Sequence, residues 1–330
     1  MTRARFGLIA PRSMPPGLIL DLNFAAGQTD RRMSFAGGAN GTRIGPATLP
    51  IAATTPRIDC STTAANQTVG LRVEKATTNL LVNALLNGTP LSTQSLSVTA
   101  QAYTLSFYGF GSVTLSGAAS ATLASGAIYP ARKTLTFTPT AGTLTLTVTG
   151  NVQYAQLETG TVATSFTPTA ATAVTRSADL PTISGSAFTA VYGGAEGTII
   201  IDAELPALVN GEMLCIDDGS SANTMEIYRK SSTTLALFIR SGNADVADLA
   251  ATANYTGFGK VGIAWKANDF AICVKGGTVS TLSSGAVPVS PNIMRIGHYR
   301  GAGVEHNARF ARLLSFNRRM PNAEFQAQCK

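Results

Sequence analysis

Apolar and hydroxyl side chains alternate most strictly in the middle of the chain. Thr134-Leu-Thr-Phe-Thr138 and Thr143-Leu-Thr-Leu-Thr-Val-Thr149 put Leu, Phe and Val on one side and threonine on the other. Tyr103-Thr-Leu-Ser-Phe107 does the same with Tyr103, Leu105 and Phe107. Successive side chains of an extended strand point to opposite faces, and β-branched threonine suits the wet one. Each run therefore predicts a half-buried antiparallel strand. Gly109 to Gly111 and Thr140-Ala-Gly142 bound the runs at hairpin spacing. The pattern begins at Gly70-Leu-Arg-Val-Glu-Lys75, so residues 70–170 are expected to form one β-sandwich.

A second set of short apolar runs, broken by Gly, Asn and Ser, starts at Gly197. Its candidate strands are 198–204, 212–216, 225–228, 235–240, 261–266, 271–275, 294–298 and 310–315, with Trp265 on a strong apolar strand and expected in the core. Residues 197–330 thus predict a second sandwich of jelly-roll size. Pro321-Asn-Ala-Glu-Phe-Gln-Ala-Gln328 is the one good helix candidate, with proline in the first turn and Glu324 where the helix dipole favours an acid. Between the sandwiches, the Thr/Ala-rich stretch ending at Leu180-Pro181 reads as a seam, and 171–196 as a linker. Residues 1–69 carry little periodicity. Pro11, Pro15, Pro16, Pro46, Pro50 and Pro56 recur among isolated apolar groups such as Ile19-Leu20-Asp21-Leu22. Such a stretch closes no core of its own, so it is expected to be an extended anchoring arm lying against something else. The fold class expected is all-β: an extended N-terminal arm followed by two antiparallel β-sandwich, jelly-roll-like domains.

Composition narrows the class. Only 13% of the 330 residues are charged and 45% are hydrophobic, which excludes a disordered chain and a coiled coil. No apolar run approaches the roughly 18 residues of a membrane span. Pro11-Arg12 cuts the apolar run after Arg5 too short for an export signal, so none is expected. Cys60, Cys215, Cys273 and Cys329 lie far apart with no Cys-x-x-Cys, and there are two histidines. Buried free thiols are expected, with a Cys215–Cys273 bridge as the alternative, and no metal or cofactor. The 25 Lys+Arg against 18 Asp+Glu give a net charge of +7. The arginines are spread among apolar residues, as in Arg309-Phe-Ala-Arg-Leu-Leu-Ser-Phe316, so nucleic acid is not the expected partner, whereas an acidic polysaccharide suits the charge.

Enzyme chemistry finds little support. Glycoside cleavage needs two carboxyl groups about 5–9.5 Å apart across one bond. Asp202-Ala-Glu204 puts two acids on one strand face, but Ile200 and Leu205 stand where concanavalin-like glucanases carry their other acids. Asp217-Asp218-Gly219 reads as a polar turn before it reads as a calcium loop. His298 and His306 have no evident acid or nucleophile partner. No nucleophile elbow, P-loop or dinucleotide fingerprint is present.

Three segments resemble a known signature. Phe35-Ala-Gly37, Pro56-Arg-Ile-Asp59 and Gly70-Leu-Arg-Val-Glu-Lys-Ala-Thr-Thr-Asn-Leu-Leu81 are similar to the N-terminal motifs of phage head-spike, head-fibre and tail-fibre proteins and gene-transfer-agent spikes. Gly37 stands where the first motif usually carries arginine. The stretch ending in Tyr154-Ala-Gln-Leu-Glu158 and Ser165-Phe-Thr-Pro-Thr169 resembles the carbohydrate-binding-module-like sandwich of such spikes. Residues 197–330 resemble a concanavalin A-like, laminin-G-like lectin domain.

The resemblance implies a virion surface protein made in the bacterial cytoplasm and usually homotrimeric. It would contact other virion proteins through the arm and host surface polysaccharide through the sandwiches, with no membrane insertion. Lectin sites pair an aromatic face with planar hydrogen-bonding groups. The candidates at apparent loop positions are Tyr108, Phe110 and Tyr129 in the first sandwich and Tyr299, His306 and Asn307 in the second. The favoured function is a non-enzymatic spike or fibre that binds host glycan for adsorption. A purely structural head decoration or fibre component and a capsule depolymerase are the alternatives.

Overall fold

In a computed structural model, described over residues 15–45, 50–52, 56–61, 68–127, 132–205, 211–252, 257–301, 305 and 307–330, the chain is all-β with antiparallel sheets. The middle of the chain folds as its alternation dictates. The long strand Tyr103–Gly117 is the spine. Its first half pairs with Lys133–Phe137 and Gln153–Thr159, its second half with Ala121–Ala127 and Gly142–Gly150. The change of partners falls at Gly109, whose φ of 106° and carbonyl neighbour, Asn151 O at 2.2 Å from a would-be Cβ, admit only glycine. Leu105, Phe107, Val113, Leu115, Leu144, Leu146 and Leu157 fill the core.

The second sandwich is two facing sheets. One runs Ser280–Leu282, Asp269–Val274, Gly257–Lys266, Glu196–Leu205, Ala308–Phe316, Thr68–Val73, Ile58–Cys60, with Leu18–Asn23 also paired to Ala308–Phe316. The other has seven strands: Ser34–Gly37, Asp179–Ser184, Ile293–Ile296, Glu212–Asp217, Thr224–Ser231, Thr234–Ser241 and Ala244–Thr252. Their inner faces share one core that includes Ile199, Ile201, Leu214, Ile227, Leu237, Ile263 and Trp265. Trp265 also donates from Nε1 to Gly194 O at 3.1 Å and stacks on Tyr192. The helix Asn322–Gln328 seats Phe325 on the outside of the first sheet, beside the buried thiols of Cys273 and Cys329. All four cysteines are free and buried. Among the described residues no helix is long and apolar enough to cross a membrane, and no group of three or more His, Cys, Asp or Glu could hold a metal ion.

Two sequence expectations are redrawn. The described part of 1–69 is not a free arm: its strands Leu18–Asn23, Ser34–Gly37 and Ile58–Cys60 are built into the sheets of the second sandwich, with Leu20, Leu22, Phe24 and Met33 in its core. Residues 171–196 do not simply span two bodies. Val174–Arg176 pairs with Thr77–Asn79, Asp179–Ser184 sits inside the seven-stranded sheet, and Ile183, Phe188 and Val191 are core. Gly37 is explained here as well. Its φ is 84° and a Cβ would lie 1.5 Å from Ala178 O, so the strand pairing with Asp179–Ser184 leaves no room for an arginine.

The sandwiches meet at a buried ion network. Arg57, fully buried, donates from Nε to Asp179 Oδ1 at 2.9 Å and from Nη2 to Glu74 Oε2 at 2.9 Å. Arg72 donates to Asp59 Oδ2 at 2.6 Å and to Glu74 Oε1 at 3.0 Å, and Arg176 lies 3.4 Å from Asp179 and 3.7 Å from Glu74. Ser165, from the end of the first sandwich, donates its N–H and hydroxyl to Glu74. Burial alone would push Glu74 up, but Arg57, Arg72 and Arg176 outweigh it and hold the carboxyl well below its ordinary range.

Two stability predictions follow from these contacts. Gly37→Ala should lower unfolding free energy in urea by about 2–3 kcal/mol, through a positive φ and a backbone clash. Glu74→Gln strands buried guanidiniums and should cost about 3–5 kcal/mol at pH 7. Because the folded carboxyl is depressed, the gap between wild type and E74Q is complete above the ordinary glutamate pKa of about 4.3 and closes as pH falls through the folded value. A gap that stayed constant down to acid unfolding would contradict the network.

Candidate functional site

Alternation in the seven-stranded sheet sends Leu214, Ile216, Met225, Ile227, Leu237, Ile239, Met294 and Ile296 inward to the core. It therefore sends Cys215, Asp217, Thr224, Glu226, Tyr228, Phe238, Arg240 and Arg295 to the opposite, open face, on which Tyr228, Phe238, Arg240 and Arg295 are half-buried while Cys215, Asp217, Thr224 and Glu226 are buried. The loop after Ile293–Ile296 folds Tyr299 and Arg300 back over it. The Arg300 guanidinium reaches Thr224 Oγ1 at 3.0 Å and Glu226 Oε1 at 3.3 Å, lies 3.6 Å from Asp217 and stacks 4.1 Å over the Tyr299 ring. Arg295 grips Asp217 with Nε at 2.8 Å and Nη2 at 3.3 Å. Farther along, Tyr228 donates to Asp248 Oδ1 at 3.0 Å, and Arg240 lies 5.4 Å over the Phe238 ring while paired to Asp245 at 2.5 Å.

The electrostatics fit a surface that offers hydrogen bonds without reactive charge. Burial raises the Glu226 carboxyl, with the Thr224 and Arg300 contacts opposing it. Glu212, buried at the rim, is pushed well up by burial and then by Glu226, and its Oε2 has no hydrogen-bond partner among the described residues. Burial also pushes the Tyr228 and Tyr299 phenols up, which keeps them protonated donors at neutral pH. The Cys215 thiol is raised by burial and neighbouring acids and donates to Asp217 at 3.1 Å, so it is not a poised nucleophile.

The six candidates read from sequence are not brought together. Tyr299 lies on this face. Tyr108 is buried at the joint between the sandwiches, its ring edge-on to Tyr154 and under Arg132 at 5.7 Å. Phe110 projects from the first sandwich, 57% exposed. Asn307 is buried, and its Oδ1 accepts the Lys75 N–H at 2.9 Å, so it fastens the two sandwiches where a solvent-facing lectin residue was expected. Tyr129 and His306 lie outside the described residues. Asp202 and Glu204 each face a cation. Asp202, raised by burial, has Lys260 and Arg312 opposing the shift, while Glu204 pairs with Arg309. His298 is buried between the Pro181 and Tyr299 carbonyls. Sequence reading missed Glu226, Tyr228, Phe238, Arg240 and Arg300. The polar positions of the predicted strands 225–228 and 235–240 were the available signal.

No protein-family model matches the chain, and no curated protein sequence matches it. Solved structures similar to it include the carbohydrate-binding module (CBM40) of the Ruminococcus gnavus IT-sialidase bound to α2,3-sialyllactose, at 14% identity over 41% of this chain and 83% of that one, with a TM-score of 0.37. The leech intramolecular trans-sialidase is similar at 13% identity over 41% of this chain and 23% of that one, TM-score 0.36. The K499G mutant of the NanB sialidase from Streptococcus pneumoniae is similar at 12% identity over 44% of this chain and 26% of that one, TM-score 0.37.

Proposed function

We propose that this chain is a non-enzymatic glycan-binding protein of a virion surface, a spike or fibre that adsorbs to host polysaccharide through the open face of its seven-stranded sheet. The observation that carries the reading is the group on that face: the Tyr299 ring with Arg300 stacked on it, and the Tyr228 and Phe238 rings set among Asp, Glu and Arg side chains. Pyranose rings present an apolar face to an aromatic and hydroxyls to planar hydrogen-bonding groups, and this surface carries both. The net charge of +7 favours an acidic polysaccharide. Single-site sugar contacts are weak, and a homotrimer would multiply them by avidity. Attachment to other virion proteins is assigned to the N-terminal part of the chain, residues 1–69, on the likeness of its motifs to those of spike and fibre proteins.

A glycan array and whole-cell binding with labelled protein test the reading. Tyr299→Ala and Phe238→Ala should each weaken binding about tenfold or more while leaving thermal unfolding within a few degrees. Phe110→Ala should leave binding unchanged, and a loss there would move the site to the first sandwich. Absence of binding to any host surface would favour a structural component, and new reducing ends in incubated capsule would favour a depolymerase. If the polysaccharide is acidic, affinity should fall steeply between about 0.05 and 0.5 M salt, as surface attractions are screened. Salt-independent binding would remove the electrostatic part of the proposal.

A further inference from the structure

The joint between the sandwiches encloses a cavity of about 190 Å³ whose charged wall is Arg43, Asp59, Arg72, Glu74 and Arg132, with Tyr108 beside them. The carboxylates around it are already engaged. Asp59 accepts from Arg72 and from the Ile44 N–H at 3.0 Å, Glu74 from Arg57, Arg72 and Ser165, and Asp179 from Arg57 and the Glu74 N–H at 2.9 Å. Glu158, buried behind Thr164, accepts from Thr77, Gln156 and Thr164. Two guanidiniums facing the cavity have no carboxylate among the described residues. Arg43 donates to Ile58 O at 3.0 Å, and Arg132 donates to Ser106 Oγ at 2.5 Å and to Thr164 O, while its buried Nε has no partner among those residues. Counting Arg43, Arg57, Arg72, Arg132 and Arg176 against Asp59, Glu74, Glu158 and Asp179 leaves one positive charge uncompensated.

We propose that this cavity binds a small organic carboxylate, up to the size of one uronic-acid residue, at a site separate from the open face of the seven-stranded sheet. Withdrawing a cation from water without a counter-charge is costly, and a monoanion entering here would gain charge-assisted hydrogen bonds where they are strong. The fork of a guanidinium matches the two oxygens of a carboxylate. A dianion fits less well, because Asp59 and Glu74 on the same wall repel the second charge. At roughly 30 Å³ per water the cavity has room for about six waters, below the roughly 300–1,000 Å³ of pockets for drug-sized ligands. Arg43 and Arg132 are only half-buried, which leaves the site reachable from solvent. A ligand here would touch both sandwiches and stabilise the folded chain by mass action.

Thermal unfolding of the full chain in glucuronate, acetate, inorganic phosphate and glucose, at fixed ionic strength, tests the site. Glucuronate should raise the midpoint saturably, acetate should do so more weakly, and glucose should have no effect at equal concentration. Arg132→Gln should weaken glucuronate about tenfold or more, whereas Phe110→Ala, exposed on the first sandwich, should leave it unchanged. If Arg132→Gln does not fold, Arg43→Gln is read in its place. The proposal is overturned by no saturable shift with glucuronate, by an equal shift with glucose, or by a shift that survives in the arginine variant. A stronger response to phosphate would overturn the carboxylate assignment.

Discussion

The arrangement of the whole chain depends on the buried meeting of Arg57, Arg72 and Arg176 with Asp59, Glu74 and Asp179. These six side chains come from the Ile58–Cys60 region, the Thr68–Val73 strand and its exit, and the stretch that leads back from the first sandwich to the second. A network of this kind contributes little net stability compared with packed hydrocarbon, but each member left alone is expensive. It therefore acts as a register device: the three segments can be buried together only in the one arrangement that satisfies every charge. Arg57, Asp59, Arg72 and Glu74 are also charged positions of the two motifs on which the likeness to spike and fibre proteins rests. Their chemistry in this chain is that of a clasp, and it requires no ligand to explain its spacing.

The clasp matters because the second sandwich is assembled from both ends of the chain. Ala308–Phe316, close to the C-terminus, pairs with Glu196–Leu205 on one side and shares its other edge between Leu18–Asn23 and Thr68–Val73. Asp21 and Arg312 join across that edge at 2.6 Å. The first sandwich is thus an excursion of about ninety residues inserted between strands of the second, and its two ends return to one point, where Glu74 receives Ser165 and Lys75 meets Asn307. These contacts tie the excursion at its root to the body that carries the seven-stranded sheet.

What could be read from sequence follows the range of the interactions. Thr134–Thr138 and Thr143–Thr149 were legible because a half-buried strand writes its period into its own residues, and the alternating runs after Gly197 gave most of the second sandwich for the same reason. Ser34–Gly37 and Ile58–Cys60 are too short to show a period, and what makes them strands is a partner about 145 residues away in one case and the ion network in the other. Residues 171–196 looked like a linker because they continue a Thr/Ala-rich stretch that ends at Leu180-Pro181. Pro181 is nonetheless tolerated inside a sheet, where its carbonyl serves His298. At the site, Tyr299 was legible as an aromatic at a strand end. Arg300 was not, since its importance comes from folding back onto Thr224 and Glu226, residues more than seventy positions away. Asn307 looked like a ligand residue because a polar amide near a loop reads the same whether it faces water or caps a backbone N–H.

Under the proposed glycan-binding role, the charge balance would divide recognition into two ranges. On the open face acids and bases are matched closely, with Asp217 held by Arg295, Glu226 by Arg300, and Asp245 by Arg240. Matched pairs in contact produce little field at a distance, so this face offers direction and shape only to a partner already touching it. The net charge of +7 is then carried by other parts of the chain, the joint with Arg43 and Arg132 among them. Its attraction reaches about 8 Å at physiological salt and depends on the charge of a partner more than on its shape. In the proposed role, approach and discrimination would thereby fall to different groups, and a change in ionic strength would act on the first while leaving the hydrogen-bond geometry of the second intact.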